Sequence, residues 1–230
     1  QFCGIELVRR DDGSIELSSS RYIKDTLRRF GMADCKGTAL PMDPNAKFSA
    51  QHKEARPMPE QALEMATIPY QEAVGCLMYV MTTTRPDLAF PLSILCKYMS
   101  HPSHEHWKAV KRLLRYMQST KDDSLVISPG LFKLDVYSDA NYAGCQDTGK
   151  STSGYVSLLG NNCVSWSSRK QDVVALSTTE AEYVGLSNAA QQLQWLKCII
   201  AHMSPPIDGK EAALVVELHG DNLGAIALAK

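Results

Sequence analysis

Two glutamates one residue apart, Glu180 and Glu182 in the stretch "STTEAEYVGL", have the residue type and spacing to do chemistry. If this stretch is helical, at about 100° per residue, Glu182 lies on the face that the later apolar residues share, and Glu180 points away from it. That apolar face consists of Leu186, Ala189, Leu193, Leu196 and Ile200. An ionised carboxylate on a packed face is costly unless a partner or a metal ion neutralises it. Glu182 is therefore a candidate functional carboxylate, the alternative being that the helix has not yet entered the core at this residue.

Glu180 has a structural role available at the start of the same helix. The stretch "STTE" fits the capping box, in which a serine and a glutamate satisfy the free backbone amides of the first turn. We therefore predict that Glu180 caps the helix and that Glu182 is the carboxylate that does chemistry.

Two further acids follow predicted strands. Asp139 ends a strand in "DVYSDANYAG", and Asp221 lies between a strand and a helix in "VVELHGDNLGA". Taken singly, each is more often a turn residue or a helix N-cap than a ligand. If the two strands are neighbours and the helix of Glu182 packs across them, the three acids converge without a basic partner in the sequence. Such a group calls for a divalent cation, and ligands that are all oxygens favour Mg²⁺ or Mn²⁺ over zinc.

The composition is that of an ordinary globular protein. The 230 residues are 44% hydrophobic and 21% charged, with a formal net charge of -1. No apolar run approaches the roughly 20 residues that a membrane span needs. The seven cysteines form no C-x-x-C pair, which indicates free thiols in a reducing compartment and argues against a disulfide scaffold or a zinc knuckle. The chain begins with "QFCGIEL", without a signal peptide, so we expect an intracellular protein (cytoplasm or nucleus) cut from a longer polypeptide.

The first half, residues 1–130, is predicted to be a hairpin followed mainly by helices. "FCGIELV" and "SIELS" flank an Asp-Gly turn, and a helix follows up to Gly31. The proline-rich residues 36–69 indicate an irregular connection, with prolines at 41, 44, 57, 59 and 69. Three helices are then predicted: one over roughly 70–82, one broken or kinked at Pro91, and one capped by Ser103. His101, His104 and His106 at that last helix start have the wrong spacing for one metal-binding face, so we assign them to helix entry.

The second half, residues 131–230, is predicted to be a separate α/β domain with the order β-β-β-α-β-α. "FKLDVYSD" is the first strand, and "SGYVSLL" and "CVSWSS" form a hairpin through "GNN". A long helix over about 178–202 follows, then a loop containing "SPPIDGKE". The near-continuous apolar run in "ALVVELHGD" is typical of a buried central strand. The last helix is interrupted by the end of the chain.

The longest motifs resemble a known family. "YSDANYAGCQDTGKSTSGYVSLLG", "VSWSSRKQDVVALSTTEAEYVGL" and "DNLGAIALA" closely resemble the ribonuclease H domain of copia-type retrotransposon Pol polyproteins. "SSSRYIKDTLRRFGM", "YQEAVGCLMYVMTTTRPDLAF" and "HPSHEHWKAVKRLLRYMQST" resemble the thumb and connection that precede it. The resemblance covers essentially the whole chain and implies a ribonuclease H-like mixed sheet with flanking helices, α+β overall, after a hairpin and a mainly helical region. It places the family's metal-binding acids on Asp139, Glu182 and Asp221, and it does not include Glu180.

The same resemblance implies an activity, a cofactor and a substrate. The activity is hydrolysis of the RNA strand of an RNA–DNA hybrid by two Mg²⁺ ions about 4 Å apart, with Asp139 as the bridging ligand and Mn²⁺ as a possible substitute. One ion would activate a water and the other would stabilise the leaving 3′ oxygen, while the 2′-hydroxyl would select RNA. Candidates for phosphate contact are Lys150, Ser151, Thr152, Arg169 and Lys170. A solvated turn is an equally good interpretation of those five residues.

The sequence departs from the family pattern in two places. The family's domain continues to a further helix with a fourth metal-site residue, whereas this sequence ends at Lys230 and leaves the site one residue short. The polymerase's paired-aspartate motif is absent, so we expect no DNA synthesis; polymerase palm and fingers in the rest of Pol would be partners. Two alternatives stay open: an inactive fragment that binds nucleic acid or packs structurally, and an integrase-like phosphoryl transfer, which the "STTEAEY" and "GKSTSGY" contexts disfavour.

Overall fold

A computed structural model of the chain describes residues 3–43, 45–46, 48–49, 65, 67–203 and 214–230. Three prolines of the predicted connection, at 44, 57 and 59, lie outside the described residues, and so does the predicted loop at 204–211. The chain divides into two compact units, Gln1–Val126 and Ile127–Lys230, whereas the sequence pattern changes near residue 130.

The first unit begins with the predicted hairpin. Strands β1 (Glu6–Arg9) and β2 (Ile15–Ser18) pair antiparallel. Gly13 has a φ of +85° in the connecting turn, a conformation that glycine adopts without strain. A short strand, β3 (Leu125–Ile127), is third in the sheet order β1-β2-β3.

Among the described residues, four helices form the body of the first unit, close to their predicted positions: α1 (Ser20–Arg29), α2 (Tyr70–Thr83), α3 (Ala89–Leu95) and α4 (His104–Ser119). Gly31, with a φ of +64°, follows the end of α1 as expected. Pro91 lies in the first turn of α3, where a backbone N–H needs no helical partner. The expected break therefore takes the form of a short helix between two single 3-10 turns, Pro86–Leu88 and Cys96–Tyr98.

Two features stabilise these helices: the capped start of α4 and an apolar cluster that they share. Ser103 accepts a hydrogen bond from the His106 N–H, and His106 Nδ1 accepts one from the Ser103 N–H at 3.0 Å. This confirms His106 as a helix-entry residue. The helices bury one continuous apolar cluster between them: Ile23, Leu27, Tyr70, Ala73, Val74, Leu77, Val80, Leu88, Leu92, Leu95, Val110, Leu113, Leu114 and Met117.

The second unit contains a mixed four-stranded sheet in the order β6-β5-β4-β7. Its strands are β4 (Lys133–Asn141), β5 (Thr152–Leu159), β6 (Asn162–Lys170) and β7 (Val215–His219). Strands β4, β5 and β6 pair antiparallel, and β7 pairs parallel with β4. The predicted hairpin between β5 and β6 is confirmed, and its two turn residues, Gly160 and Asn161, both have positive φ, as a two-residue hairpin turn requires.

A long helix, α5 (Thr178–Met203), packs on β4 and β5, and a short helix, α6 (Leu223–Ala229), follows β7. The predicted apolar face of α5 is buried: Ala189, Leu193, Leu196 and Ile200 form one cluster with Leu134 and Val136 of β4. The arrangement of helix and mixed sheet is the ribonuclease H-like fold, α+β overall, that the sequence indicates.

The predicted position of β7 is wrong in one respect. The strand forms where expected, but within the described residues it is an edge strand paired only with β4, with Val215 51% and Leu218 39% exposed. The strands with a neighbour on each side are β4 and β5. An apolar run indicates that a strand has side chains suited to burial. The position of that strand in the sheet depends on which strands pair with it, and the run contains no information about those partners.

Candidate metal centre

Glu182 lies near the start of α5 on the helix face that contacts the sheet. Its side chain is buried, with 8% of the residue exposed, as the helical spacing predicted. Gly185, one turn later, explains how the helix comes so close to β4. A Cβ at that glycine would lie 3.2 Å from Ser138 Oγ and 3.6 Å from the Asp139 carbonyl oxygen. A larger residue there would push Glu182 away from the strand.

Asp139 and Asp221 come to the same end of the sheet because β4 and β7 run parallel. Tyr137 is paired with His219 in the register of these strands, so the residues two positions further along emerge side by side. Asp139 lies within β4, opposite Gly154 of β5, and is therefore not a turn residue. The N-cap of α6 is Asn222, whose side chain accepts a hydrogen bond from the Ala225 N–H at 2.9 Å. Asp221 is thereby left without the capping role that its position suggested.

Asp139, Glu182 and Asp221 converge. Each offers a carboxylate oxygen, and the three oxygens all lie within 4.8 Å of one another. No ion pair found among the described residues includes any of these three acids. We call this group the acid trio.

Without a bound cation, the negative charges of the acid trio are close together and repel one another. Burial raises the pKa of Glu182 above its ordinary value, and repulsion from Asp139 and Asp221 adds to the rise. A hydrogen bond from the Ala140 N–H to Glu182 Oε1, at 3.2 Å, opposes it. A cation between the carboxylates would remove the repulsion, and the donor set of three carboxylates suits Mg²⁺ or Mn²⁺.

Glu180 has the capping geometry that the sequence predicted, with one difference. The Ser177 hydroxyl oxygen accepts a hydrogen bond from the Glu180 N–H at 3.1 Å. Glu180 Oε2 accepts one from the Leu176 N–H at 2.7 Å, one residue before the serine that a standard capping box would use. Glu180 is exposed and lies outside the acid trio.

The five candidates for phosphate contact lie on β5, β6 and the loop before β5. Thr152 is paired with Asn141 on one side and with Lys170 on the other, so the group lies at the sheet end that also contains Asp139. Ser151 and Thr152 are buried, and the Ser151 hydroxyl oxygen accepts a hydrogen bond from the Ala143 N–H. Lys150 Nζ donates to the Asp172 carbonyl oxygen. Arg169 is exposed and Lys170 partly so, which leaves these two side chains the best placed to meet a ligand.

Sequence reasoning missed Gln171, which holds the start of α5 against the sheet. This buried side chain donates from Nε2 to the Ser153 hydroxyl and to the Ala181 carbonyl oxygen, both at 2.8 Å. Ala181 immediately precedes Glu182, so Gln171 positions the turn that presents this carboxylate. A polar residue just after a strand gives no periodic signal, and nothing in the sequence alone distinguishes it from a loop residue.

These features define a class of protein: a ribonuclease H-like domain with three convergent acids at one sheet end, preceded by a separate helical unit. Within the described residues, no helix combines the length and the apolar character that crossing a membrane requires.

Comparison with known proteins identifies the family. The chain is 38% identical over 198 residues to a retrovirus-related Pol polyprotein from transposon TNT 1-94 of Nicotiana tabacum, covering 86% of this chain and 15% of that protein. It is 36% identical over 233 residues to the Pol polyprotein from transposon RE2 of Arabidopsis thaliana, covering 99% and 15%. It is also 50% identical over 133 residues to secreted RxLR effector protein 161 of Plasmopara viticola, covering 57% and 94%. No protein-family model and no solved structure matches the chain.

The chain therefore belongs to the family of copia-type retrotransposon Pol polyproteins. It spans about 15% of the length of these two Pol polyproteins, so the segment that matches it is a small part of each of them.

Proposed function

We propose that the second unit hydrolyses the RNA strand of an RNA–DNA hybrid, as the ribonuclease H part of a retrotransposon Pol polyprotein. The observation that carries this proposal is the acid trio, whose carboxylate oxygens lie within 4.8 Å of one another without a basic partner among the described residues. Membership of the Pol family supports the same function. In this proposal the first unit is the end of the reverse transcriptase thumb and connection.

The residues of the trio fit a pair of Mg²⁺ ions. Asp139 and Asp221 are exposed and can turn toward a cation, while Glu182 is buried and fixed by the Ala140 N–H. Bound Mg²⁺ would supply an activated water and stabilise the charge that develops on the leaving oxygen. The protein's own contribution is to hold three carboxylates close together before any ion arrives, which the Gly185 contact and the Gln171 hydrogen bonds make possible.

The substrate would be held from the same end of the sheet. Arg169 and Lys170, at the end of β6, can contact the phosphates of one strand. Selection of RNA would depend on its 2′-hydroxyl, the group that distinguishes the two strands of a hybrid.

The test is cleavage of a labelled RNA–DNA hybrid by this chain in Mg²⁺, together with Mn²⁺ binding followed by electron paramagnetic resonance. Glu182→Gln is expected to abolish cleavage and to weaken Mn²⁺ binding, because it removes the buried ligand. Glu180→Gln is the matched control, the same substitution two residues away, and should leave the cleavage rate unchanged.

Two outcomes would decide against the proposal. Loss of cleavage in Glu180→Gln at unchanged stability, with cleavage retained in Glu182→Gln, would show that the wrong glutamate has been assigned. A chain that binds Mn²⁺ and the hybrid but cleaves nothing would support the alternative, a nucleic-acid-binding or structural fragment without activity.

A further inference from the structure

A second group of potential metal ligands lies on strands β4 and β7, separate from the acid trio. Asp135 of β4 is paired with Glu217 of β7, and two residues further along Tyr137 is paired with His219. Because side chains alternate along a strand, these four residues share one face of the sheet. One ligand atom each from Asp135, Glu217 and His219 lies within 4.8 Å of the other two.

The three side chains are already oriented toward one another. His219 Nε2 lies 2.8 Å from Asp135 Oδ1 and 3.5 Å from Glu217 Oε2. The imidazole is stacked on the Tyr137 ring, with centroids 4.5 Å apart and planes 13° from parallel. Asp135 is 8% exposed, so its carboxylate has little freedom to turn away. Ligand atoms around a tetrahedral zinc ion with bonds of about 2.1 Å are about 3.4 Å apart, which these side chains could reach by shifts of several tenths of an ångström.

The protein itself shows that a cation fits between the carboxylates. Lys133 Nζ lies 2.9 Å from Asp135 Oδ1 and 2.9 Å from Glu217 Oε2, the same two oxygens that face His219. These hydrogen bonds raise the pKa of Lys133 to about 12. The ammonium group is carried on a flexible stem with 34% of the side chain exposed, so it can leave for solvent without moving the strand.

We propose that Asp135, Glu217 and His219 form a transition-metal site for Zn²⁺ or a similar ion, for which Lys133 competes as an internal cation. The donor set of one imidazole nitrogen and two carboxylates, with a fourth position left for water, is one that zinc accepts. It differs from the acid trio, which offers oxygens only and suits Mg²⁺. Binding would displace the Lys133 ammonium to solvent. The site does not depend on the function proposed above.

The experiment measures Zn²⁺ affinity by competition with a chromogenic zinc chelator. The chain is used with its accessible thiols alkylated and with Mg²⁺ in excess to fill the acid trio. His219→Ala removes the only nitrogen ligand and is expected to weaken binding about tenfold or more. Lys133→Met removes the competing ammonium but keeps the apolar stem, and is expected to tighten binding about tenfold.

The two variants together keep the test decisive. Weaker binding in His219→Ala alone could come from a damaged fold, whereas tighter binding in Lys133→Met could not. Glu180→Gln, at an exposed glutamate outside both groups of ligands, serves as the control and should leave Zn²⁺ affinity unchanged. If neither His219→Ala nor Lys133→Met changes the affinity, the four side chains are an internal ion-pair network only and the proposal is wrong.

Discussion

The two units of this chain differ in the size of their apolar clusters and in how many buried polar atoms they leave unpaired. The first unit encloses a large apolar cluster contributed by four helices. The second has a smaller apolar cluster, formed by β4 and α5. It also contains three of the four buried side-chain polar atoms that lack a hydrogen-bond partner among the described residues: Ser138 Oγ, Ser157 Oγ and Gln171 Oε1, the fourth being Arg112 Nε of the first unit. Polar groups left unsatisfied in a core lower stability and are retained where function needs them. Two of the three unpaired atoms of the second unit, in Ser138 and Gln171, belong to side chains that lie against the start of α5, the part of the helix that carries Glu182.

Buried charge shows the same contrast. In the first unit, the buried guanidinium of Arg85 makes two hydrogen bonds to Asp87, at 2.8 and 3.0 Å, and two more to Thr120. In the second unit, the buried carboxylate of Glu182 faces Asp139 and Asp221, which carry charge of the same sign. Substitutions that remove one charge should therefore destabilise the first unit and stabilise the second.

The largest loss of stability is expected when a buried leucine of either apolar cluster is replaced by alanine. Leu113 of α4 and Leu134 of β4 are both fully buried. Leu113→Ala should lower the free energy of unfolding of the first unit by about 4 kcal/mol, and Leu134→Ala should lower that of the second unit by about 3 kcal/mol. The second value is smaller because Leu134 belongs to a smaller apolar cluster, so fewer contacts are lost around the cavity. Hydrogen exchange of peptides from each unit measures the two values separately. Equal costs would contradict the proposed difference between the cores.

The next effect comes from the ion pair of the first unit. Asp87→Asn leaves the Arg85 guanidinium buried without its counter-ion and should lower stability by about 2 kcal/mol, since Asp87 itself is partly exposed. Burial tends to raise the pKa of Asp87, but the hydrogen bond and charge of Arg85 outweigh it and hold the pKa below its ordinary value. The stabilisation is thus present above the ordinary aspartate pKa and is lost as pH falls through the lowered one.

The pH dependence of the Asp87→Asn effect tests whether the carboxylate charge is responsible for the loss of stability. Urea denaturation monitored by the fluorescence of Trp107, the only tryptophan of the first unit, should show a difference between unaltered chain and Asp87→Asn that shrinks on acidification. A difference that stays constant down to the acid limit would mean that the carboxylate charge is not responsible.

The contrast between the units also explains what could be predicted from the sequence. Periodic features were predictable: the helix expected over 178–202 is Thr178–Met203, and the face that buries Glu182 follows from spacing alone. Features that depend on strand register were not, because pairing brings together residues far apart in the chain. The contact of Lys133 with Glu217 belongs to this class, and so does the edge position of β7. The contact of Gln171 with Ala181 depends instead on how α5 packs against the sheet, which no periodic pattern encodes.

A smaller effect, of opposite sign, is expected for the acid trio. With divalent ions removed by a chelator, Glu182→Gln should raise the stability of the second unit by about 1 kcal/mol, because it removes a buried charge that also faces two charges of the same sign. The folded-state pKa of Glu182 is raised, so the unaltered chain is most stable below the ordinary glutamate pKa and loses stability as pH rises through the raised one. The gain from Glu182→Gln should therefore be absent at acid pH and appear above that range, as measured by thermal unfolding. A loss of stability at neutral pH would show that the carboxylate has a favourable partner.

The smallest effect separates the two neighbouring glutamates. Glu180 is exposed and accepts a hydrogen bond from the Leu176 N–H, so Glu180→Gln keeps an acceptor but removes a negative charge from the start of α5. A carboxylate interacts favourably with the positive end of a helix, and losing that charge should lower stability by about 0.5 kcal/mol. The same substitution two residues later is expected to raise it, so unfolding of both variants in chelator compares one chemical change in two surroundings. If both glutamines shift stability in the same direction, burial among like charges is not what distinguishes Glu182 from Glu180, and the acid trio loses its main electrostatic argument for a bound cation.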